Sequence, residues 1–466
     1  MRFRQGLWRS GCVGLALLVT TMAFGRDATL PKGVRAVWDM NKAYRETTPT
    51  RERTCINGLW RWQPADELTE TVPNEGWGYF KVPGSWPGLT SYMQKDCQTV
   101  YRHASWDKRD LSKNNVAWYQ REIVIPKDWR GRRITVYSEY LNSYAAVYLD
   151  GKKVGEMLFP WGEVDITSVC RPGMKQVLSV CVRAMPLSSV VMAYTDTGAP
   201  KRARGSVARR GLCGDIFLVS TPIGARISDV KVDTSVRKWA ITFDVALSKL
   251  EAGKQYRLRA LITDGGKKVE QFTSKPFSLV DLKDGRFSFT SQWKPAKLWN
   301  VHTPGNMYDV QLSLVDAGSK ALDVFQPVRF GFREFWIEGR DFYLNGSRIT
   351  LCIMGTENAQ LGAAWSTYEA ARETFLRDKS FGINAVYTHN YGCQPGSHLG
   401  YREILRAADD VGMLVSFSQP HVGHYKWDRG ATEMTNGYIQ HADFYVRMAQ
   451  NHPSVVMYSM LSLIHI

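Results

Sequence analysis

The chain has 466 residues, of which 44% are hydrophobic and 22% charged, a globular balance that excludes a disordered or membrane-embedded class. At about 100–200 residues per domain, it holds about three domains, each able to bury a core. The net charge of +16 is spread over dispersed Lys and Arg, which argues against nucleic acid and leaves either an anionic glycan or no dedicated partner.

Residues 1–25 read as a secretory signal. Arg2, Arg4 and Arg9 form a positive start, residues 12–24 an apolar run, and Ala23-Phe24-Gly25 a cleavage site. The run is short for a membrane span of about 20 residues. Cleavage would remove three arginines and no acid, lowering the charge from +16 to +13. The expected location is therefore outside the cytoplasm, periplasmic or extracellular, with no membrane span in the mature chain.

Strand-like runs follow at 56–62, 77–86, 116–126, 132–141, 144–149, 177–184 and 216–220. Pro83-Gly84 forces a turn, and Asp150-Gly151 is a hairpin signal. About eight strands over residues 26–222 predict a jelly-roll sandwich. Most of the 12% aromatic content is assigned to sandwich cores, including Trp86, Trp118 and Trp161. Lys201, Arg202, Arg204, Arg209 and Arg210 read as a solvated loop.

Residues 223–331 carry strands at 240–247, 255–263, 285–290 and 307–315, a spacing that suits an immunoglobulin-like sandwich. Residues 332–460 then change pattern. Apolar runs at 349–355, 383–388, 413–417 and 455–460 alternate with helical stretches at 367–380 and 401–411. Ser366-Thr367-Tyr368-Glu369 is a capping box, and Phe381-Gly382 a helix stop. Strand and helix alternating in this way predict the N-terminal half of a parallel (β/α)8 barrel, whose chemistry sits at the C-terminal strand ends.

Seven cysteines remain after residue 25, with no paired spacing for zinc. Cys55–Cys97 and Cys170–Cys181 are the disulfide candidates in an exported chain. His421 and His424, three apart in a loop, are weak evidence for a metal site. No metal and no cofactor are expected.

The phrases Val82-Pro83-Gly84-Ser85-Trp86, Trp118-Tyr119 with Pro126, Asn142 with Asp150-Gly151, and Gly211-Leu212-Cys213-Gly214-Asp215 occur in order. Trp293 through Trp299 to Pro304 and Tyr308, Gly331-Phe332-Arg333, Leu344-Asn345-Gly346, Asn384-Ala385-Val386, His389 and Asn451-His452-Pro453-Ser454 complete the series. In order and spacing the chain resembles glycoside hydrolase family 2, the β-galactosidase and β-glucuronidase family. The resemblance implies the same three-domain order and cleavage of β-linked glycans by a retaining double displacement. Such a mechanism uses two carboxylates about 5–5.5 Å apart.

The family pattern puts its acid/base in an Asn-Glu pair after the fourth barrel strand, where this chain has Leu461-Ser462-Leu463. Residues 461–466 match the translation of a sequencing-library adapter end and read as a non-native tail. Neither catalytic carboxylate is identified, and the expectation is an inactive fragment of an enzyme whose full-length form can oligomerise.

Other departures follow the earlier strands. Gly355 precedes Thr356-Glu357-Asn358-Ala359 instead of the family's Gly-x-Asn-x-His, Tyr387 replaces an Arg, and Ser418 a Glu. His389 is retained, where it suits hydrogen bonds to sugar hydroxyls. The candidate substrate-binding residues are thus His389, Tyr387, Glu357 and Asn390. Two rival readings are a non-catalytic carbohydrate-binding relative and an adhesion sandwich without barrel chemistry.

Overall fold

Along Gly58–Ala65 burial alternates, with Trp60, Trp62 and Pro64 turned inward and their neighbours half-buried. This period of two is what a strand lying over a core requires. The computed structural model describes residues 27–86, 99–159, 161–184, 187–192, 201–205, 210–356, 367–388, 401–418, 425–427 and 438–459. Residues 1–25 and 461–466, Cys97, Cys393, Ser366, His421 and His424 lie outside the described residues.

The Gly58–Ala65 strand belongs to a seven-stranded sheet that packs on a five-stranded one. Trp60, Trp62 and Tyr119 from the first meet Ile134, Val136 and Leu218 from the second in one core. The two sheets hold twelve strands, and sixteen described strands fall within residues 26–222, where about eight were expected. The additions include Arg45–Thr47, Val100–Tyr101 and Gly162–Asp165, too short to show an apolar period. The hairpin predicted at Asp150-Gly151 is present, with φ of 49° and 81°, and joins Tyr144–Leu149 to Lys152–Leu158.

A second sandwich pairs a three-stranded sheet with a five-stranded one around Phe243, Leu258, Val310 and Phe332. The hairpin strands Phe335–Glu338, Asp341–Leu344 and Ser347–Ile349 then lead to a parallel sheet. Its four strands, Ile353–Thr356, Ala385–Thr388, Leu414–Ser418 and Val455–Ser459, run in chain order. Helices Tyr368–Ser380, Tyr401–Val411 and Tyr438–Ala449 lie between successive strands.

Several expectations need correction. The first helix is capped by Thr367, whose hydroxyl accepts from the Ala370 amide at 3.3 Å, one residue later than the capping box placed it. Cys170 and Cys181 are separate free thiols, as is Cys55, so none serves the proposed disulfides. Burial pushes the Cys181 thiol up to about 12. Lys201–Gly205 is a strand rather than a loop. Arg210 is buried rather than solvated, because its guanidinium donates to the Asn114 carbonyl, to the Ser112 carbonyl at 2.8 Å and to Asn115 Oδ1 at 3.2 Å. No helix among the described residues is long and apolar enough to cross a membrane.

One buried group is a liability. Asp378, near the C-terminus of the first helix, is only 7% exposed, and its Oδ2 has no hydrogen-bond partner. Burial pushes its carboxyl above the ordinary range. The folded state therefore holds that proton more tightly than the unfolded chain, so stability falls as pH rises through the carboxylate range and stays lower above it. Asp378→Asn is expected to raise the urea midpoint at neutral pH and to converge with the wild type at about pH 3, below the unfolded carboxyl's value. A variant no more stable at neutral pH would contradict this account.

Candidate active site at the ends of the parallel strands

Opposite faces of the parallel sheet have different neighbours. Val386, Val415, Phe417 and Val455 pack against Phe375, Leu405 and Tyr445 of the three helices. Ala385 and Leu414, at the strand starts, pack instead on Trp299, Met307 and Leu344. The second sandwich and its hairpin thus close the N-terminal end of the sheet.

Tyr387 stands two residues beyond Ala385 and so shares its face. In register it lies between Gly355 on one side and Ser416 on the other. It is buried, at 6% exposure. A Cβ built at Gly355 would meet nothing within 4 Å among the described residues.

Of the four predicted site residues, only Tyr387 is placed. Glu357 follows directly on the end of the first strand, while His389 and Asn390 follow on the second; all three lie outside the described residues. Ser418 ends the third strand and pairs with Ser459. Ser416 was passed over in the sequence, although its two-residue offset from Ser418 puts it on the same face.

The base of the sheet is held by a network to which sequence reasoning gave no role. Asp409 is buried; its carboxylate accepts from the Ser454 amide at 3.1 Å and sits 2.6 Å from His452 Nδ1. Arg333 donates to the Pro453 carbonyl at 2.9 Å and the Val455 carbonyl at 2.5 Å, and burial lowers its pKa. Asn451 accepts from the Val232 amide and donates to the Val230 carbonyl, both at 2.9 Å. These residues fasten the fourth strand to the second sandwich.

The aromatic phrases are structural as well. Trp86 donates to the Tyr119 hydroxyl, and Trp62 makes edge contacts with Trp86 at 6.4 Å and Trp106 at 5.5 Å. Trp118 is buried, whereas Trp161 is half-buried beside Tyr137.

No protein-family model matches the chain. A β-glucuronidase of Felis catus is 23% identical over 449 residues, covering 89% of this chain and 64% of its own. A Formosa agariphila protein is 24% identical over 88% of this chain and 46% of itself. The chain thus spans about half to two thirds of the length of these curated relatives. Among solved structures, a glycosyl hydrolase family 2 member from Bacteroides cellulosilyticus superposes with a TM-score of 0.60 at 18% identity, over 88% of this chain and 52% of that one. The β-glucuronidase of Bifidobacterium dentium, solved with coumarin-3-O-glucuronide, gives 0.63 at 18% identity, over 89% and 69%. The chain is glycoside hydrolase family 2-like.

For this family 2-like chain, the phrases that carried the resemblance can be sorted by position. Trp299, Gly331-Phe332-Arg333, Asn345 and Asn451-His452-Pro453-Ser454 meet beneath the parallel sheet. Gly84, Trp86, Tyr119, Gly211 and Leu212 meet inside the first sandwich, where the Gly84 amide donates to the Leu212 carbonyl at 2.9 Å. Most of the resemblance therefore reports how the layers are assembled.

Proposed function

We propose that the protein is a glycosidase of β-linked glycans whose substrate occupies the C-terminal ends of the parallel strands. The observation that supports this most is the alignment with β-glucuronidases over 89% of the chain, which spans both sandwiches and the parallel sheet. In this reading the layers are a jelly roll, an immunoglobulin-like sandwich and the first half of a (β/α)8 barrel. Tyr387, Glu357, His389 and Asn390 bind substrate, and the sugar is an anionic one such as a uronate, as in the relatives' names. Export by residues 1–25 and assembly into an oligomer belong to the same proposal.

Hydrolysis with retention uses an acid/base and a nucleophile at about 5–5.5 Å separation. Residues 460–466, after the fourth strand, contain no carboxylate. This chain on its own is therefore expected to bind a uronide without turning it over. Purified chain would be assayed with p-nitrophenyl β-D-glucuronide and titrated calorimetrically with glucuronate. Reading the gene onward would look for glutamates after the fourth and seventh strands. Turnover by the chain as it stands would overturn the expected inactivity. An extended gene without either glutamate would sink the glycosidase reading and leave a carbohydrate-binding relative.

A further inference from the structure

Where the first sandwich, the start of the second and the helix Tyr401–Val411 converge, a cleft of about 390 Å³ is lined by Arg51, Arg53, Arg133, Arg226 and Arg402. Two carboxylates, Glu46 and Glu163, share its wall. A volume of this size is within the range that takes small ligands. Four of the arginines have protein partners. Arg51 is paired with Asp323, and Arg53 with Glu46 at 3.0 Å and Glu139 at 3.2 Å. Arg133 reaches Glu163 at 2.6 Å and Asp165 at 2.9 Å, and Arg402 reaches Glu139 at 2.7 Å. With Asp323, Glu139 and Asp165, which pair with the lining arginines, the cluster holds five arginines and five carboxylates, so what the cleft offers an anion is the unpaired Arg226 and spare N–H donors, not an excess of charge.

Arg226 differs from the others. Among the described residues it has no carboxylate partner; its Nη1 meets only the carbonyls of Ile223 at 3.5 Å and Gly224 at 3.3 Å. Burial, and then the Arg133 charge, push its pKa down, against a smaller upward pull from Glu163 and Asp323, neither of which reaches ion-pair distance. The paired arginines also keep donors in reserve, since each guanidinium carries five N–H groups. Arg133 spends Nε and Nη1 on its carboxylates, and Arg402 spends Nη1. The lining donors thus come from three strands, carrying Arg53, Arg133 and Arg226, and from the helix that carries Arg402. A tetrahedral oxyanion suits such a space, because its oxygens point in several directions and guanidinium forks bond them with charge assistance.

We propose that this cleft is an oxyanion-binding site centred on Arg226, taking a sulfate or phosphate group either free or esterified to a sugar. The site does not depend on the glycosidase reading. The full chain would be titrated calorimetrically at constant ionic strength with sodium sulfate, sodium phosphate, glucose 6-sulfate and glucose. Saturable binding of at least one anion and none of glucose is expected, weakened at least tenfold in Arg226→Gln. Preference for glucose 6-sulfate over sulfate identifies the ester as the ligand, and equal binding identifies the free ion. Arg402→Gln, on the helix surface, is expected to weaken binding about fivefold and guards against a misfolded first variant. Lys254→Gln, in an exposed pair with Glu251, is the control for bulk charge and should change nothing. Absence of anion binding, unchanged affinity in Arg226→Gln, or an equal loss in Lys254→Gln would overturn the proposal.

Discussion

Asp323→Ala is expected to lower the unfolding free energy by about 3–5 kcal/mol, the usual cost of leaving a buried charge without its partner. Asp323 is fully buried, and its carboxylate accepts from Arg51 Nε at 2.7 Å, the Thr50 hydroxyl at 3.0 Å and the Ile227 amide at 2.7 Å. Arg51 is itself only 7% exposed, lies 4.7 Å from the Phe325 ring centroid, and also donates to the Ile227 carbonyl. Residues from the first sandwich, the strand that opens the second, and the strand Ala321–Val324 thus share one carboxylate. Removing it strands the guanidinium and leaves the Ile227 amide without its acceptor. Asp165→Ala is the contrast: that carboxylate is half exposed on the rim, and its loss should cost no more than about 1 kcal/mol. Guanidinium unfolding followed by tryptophan fluorescence would compare the two. A loss for Asp323→Ala no larger than for Asp165→Ala would show that the junction does not rest on this pair.

How much of this was legible depends on how far apart the interacting residues lie in the chain. Helix Tyr401–Val411 and strand Tyr144–Leu149 match the residues expected, because period and turn chemistry are local. The parallel strands fell within a few residues of their predicted positions for the same reason. The Asp409–His452 contact joins residues 43 apart, and the Asn451–Val232 bond residues 219 apart. Nothing in either local stretch announces its partner. Arg210 shows the opposite error: within a run of cations it looked solvated, yet its bonds reach back nearly a hundred residues. At the candidate site the sequence proposed Tyr387 by position but not its flank, since Gly355 and Ser416 become its neighbours only through parallel register.

Trp299→Ala is expected to cost about 3–5 kcal/mol, as removal of a fully buried large aromatic does. The loss should fall on one place, the attachment of the parallel sheet to the second sandwich. The Trp299 ring is fully buried with Ala385 and Leu414 at the sheet's base, and its Nε1 donates to the Asp409 carbonyl at 3.1 Å. Its own amide donates to the Phe332 carbonyl at 3.0 Å, and its carbonyl accepts from Asn345 Nδ2 at 2.8 Å. Packing around it leaves no slack: a Cβ at Gly331 would stand 2.6 Å from Trp299 Cβ and 2.8 Å from Pro453 Cβ. Gly331→Ala should therefore also destabilise, by forcing the sandwich and the Pro453 turn apart. Because both substitutions disturb the same contact, their combined cost should be less than additive. The distinguishing readout is limited proteolysis under native conditions. If Trp299 locks the layers together, its removal should speed cleavage within residues 333–459 and leave the second sandwich protected. Equal acceleration across both parts would mean that the tryptophan supports the fold generally and not this junction.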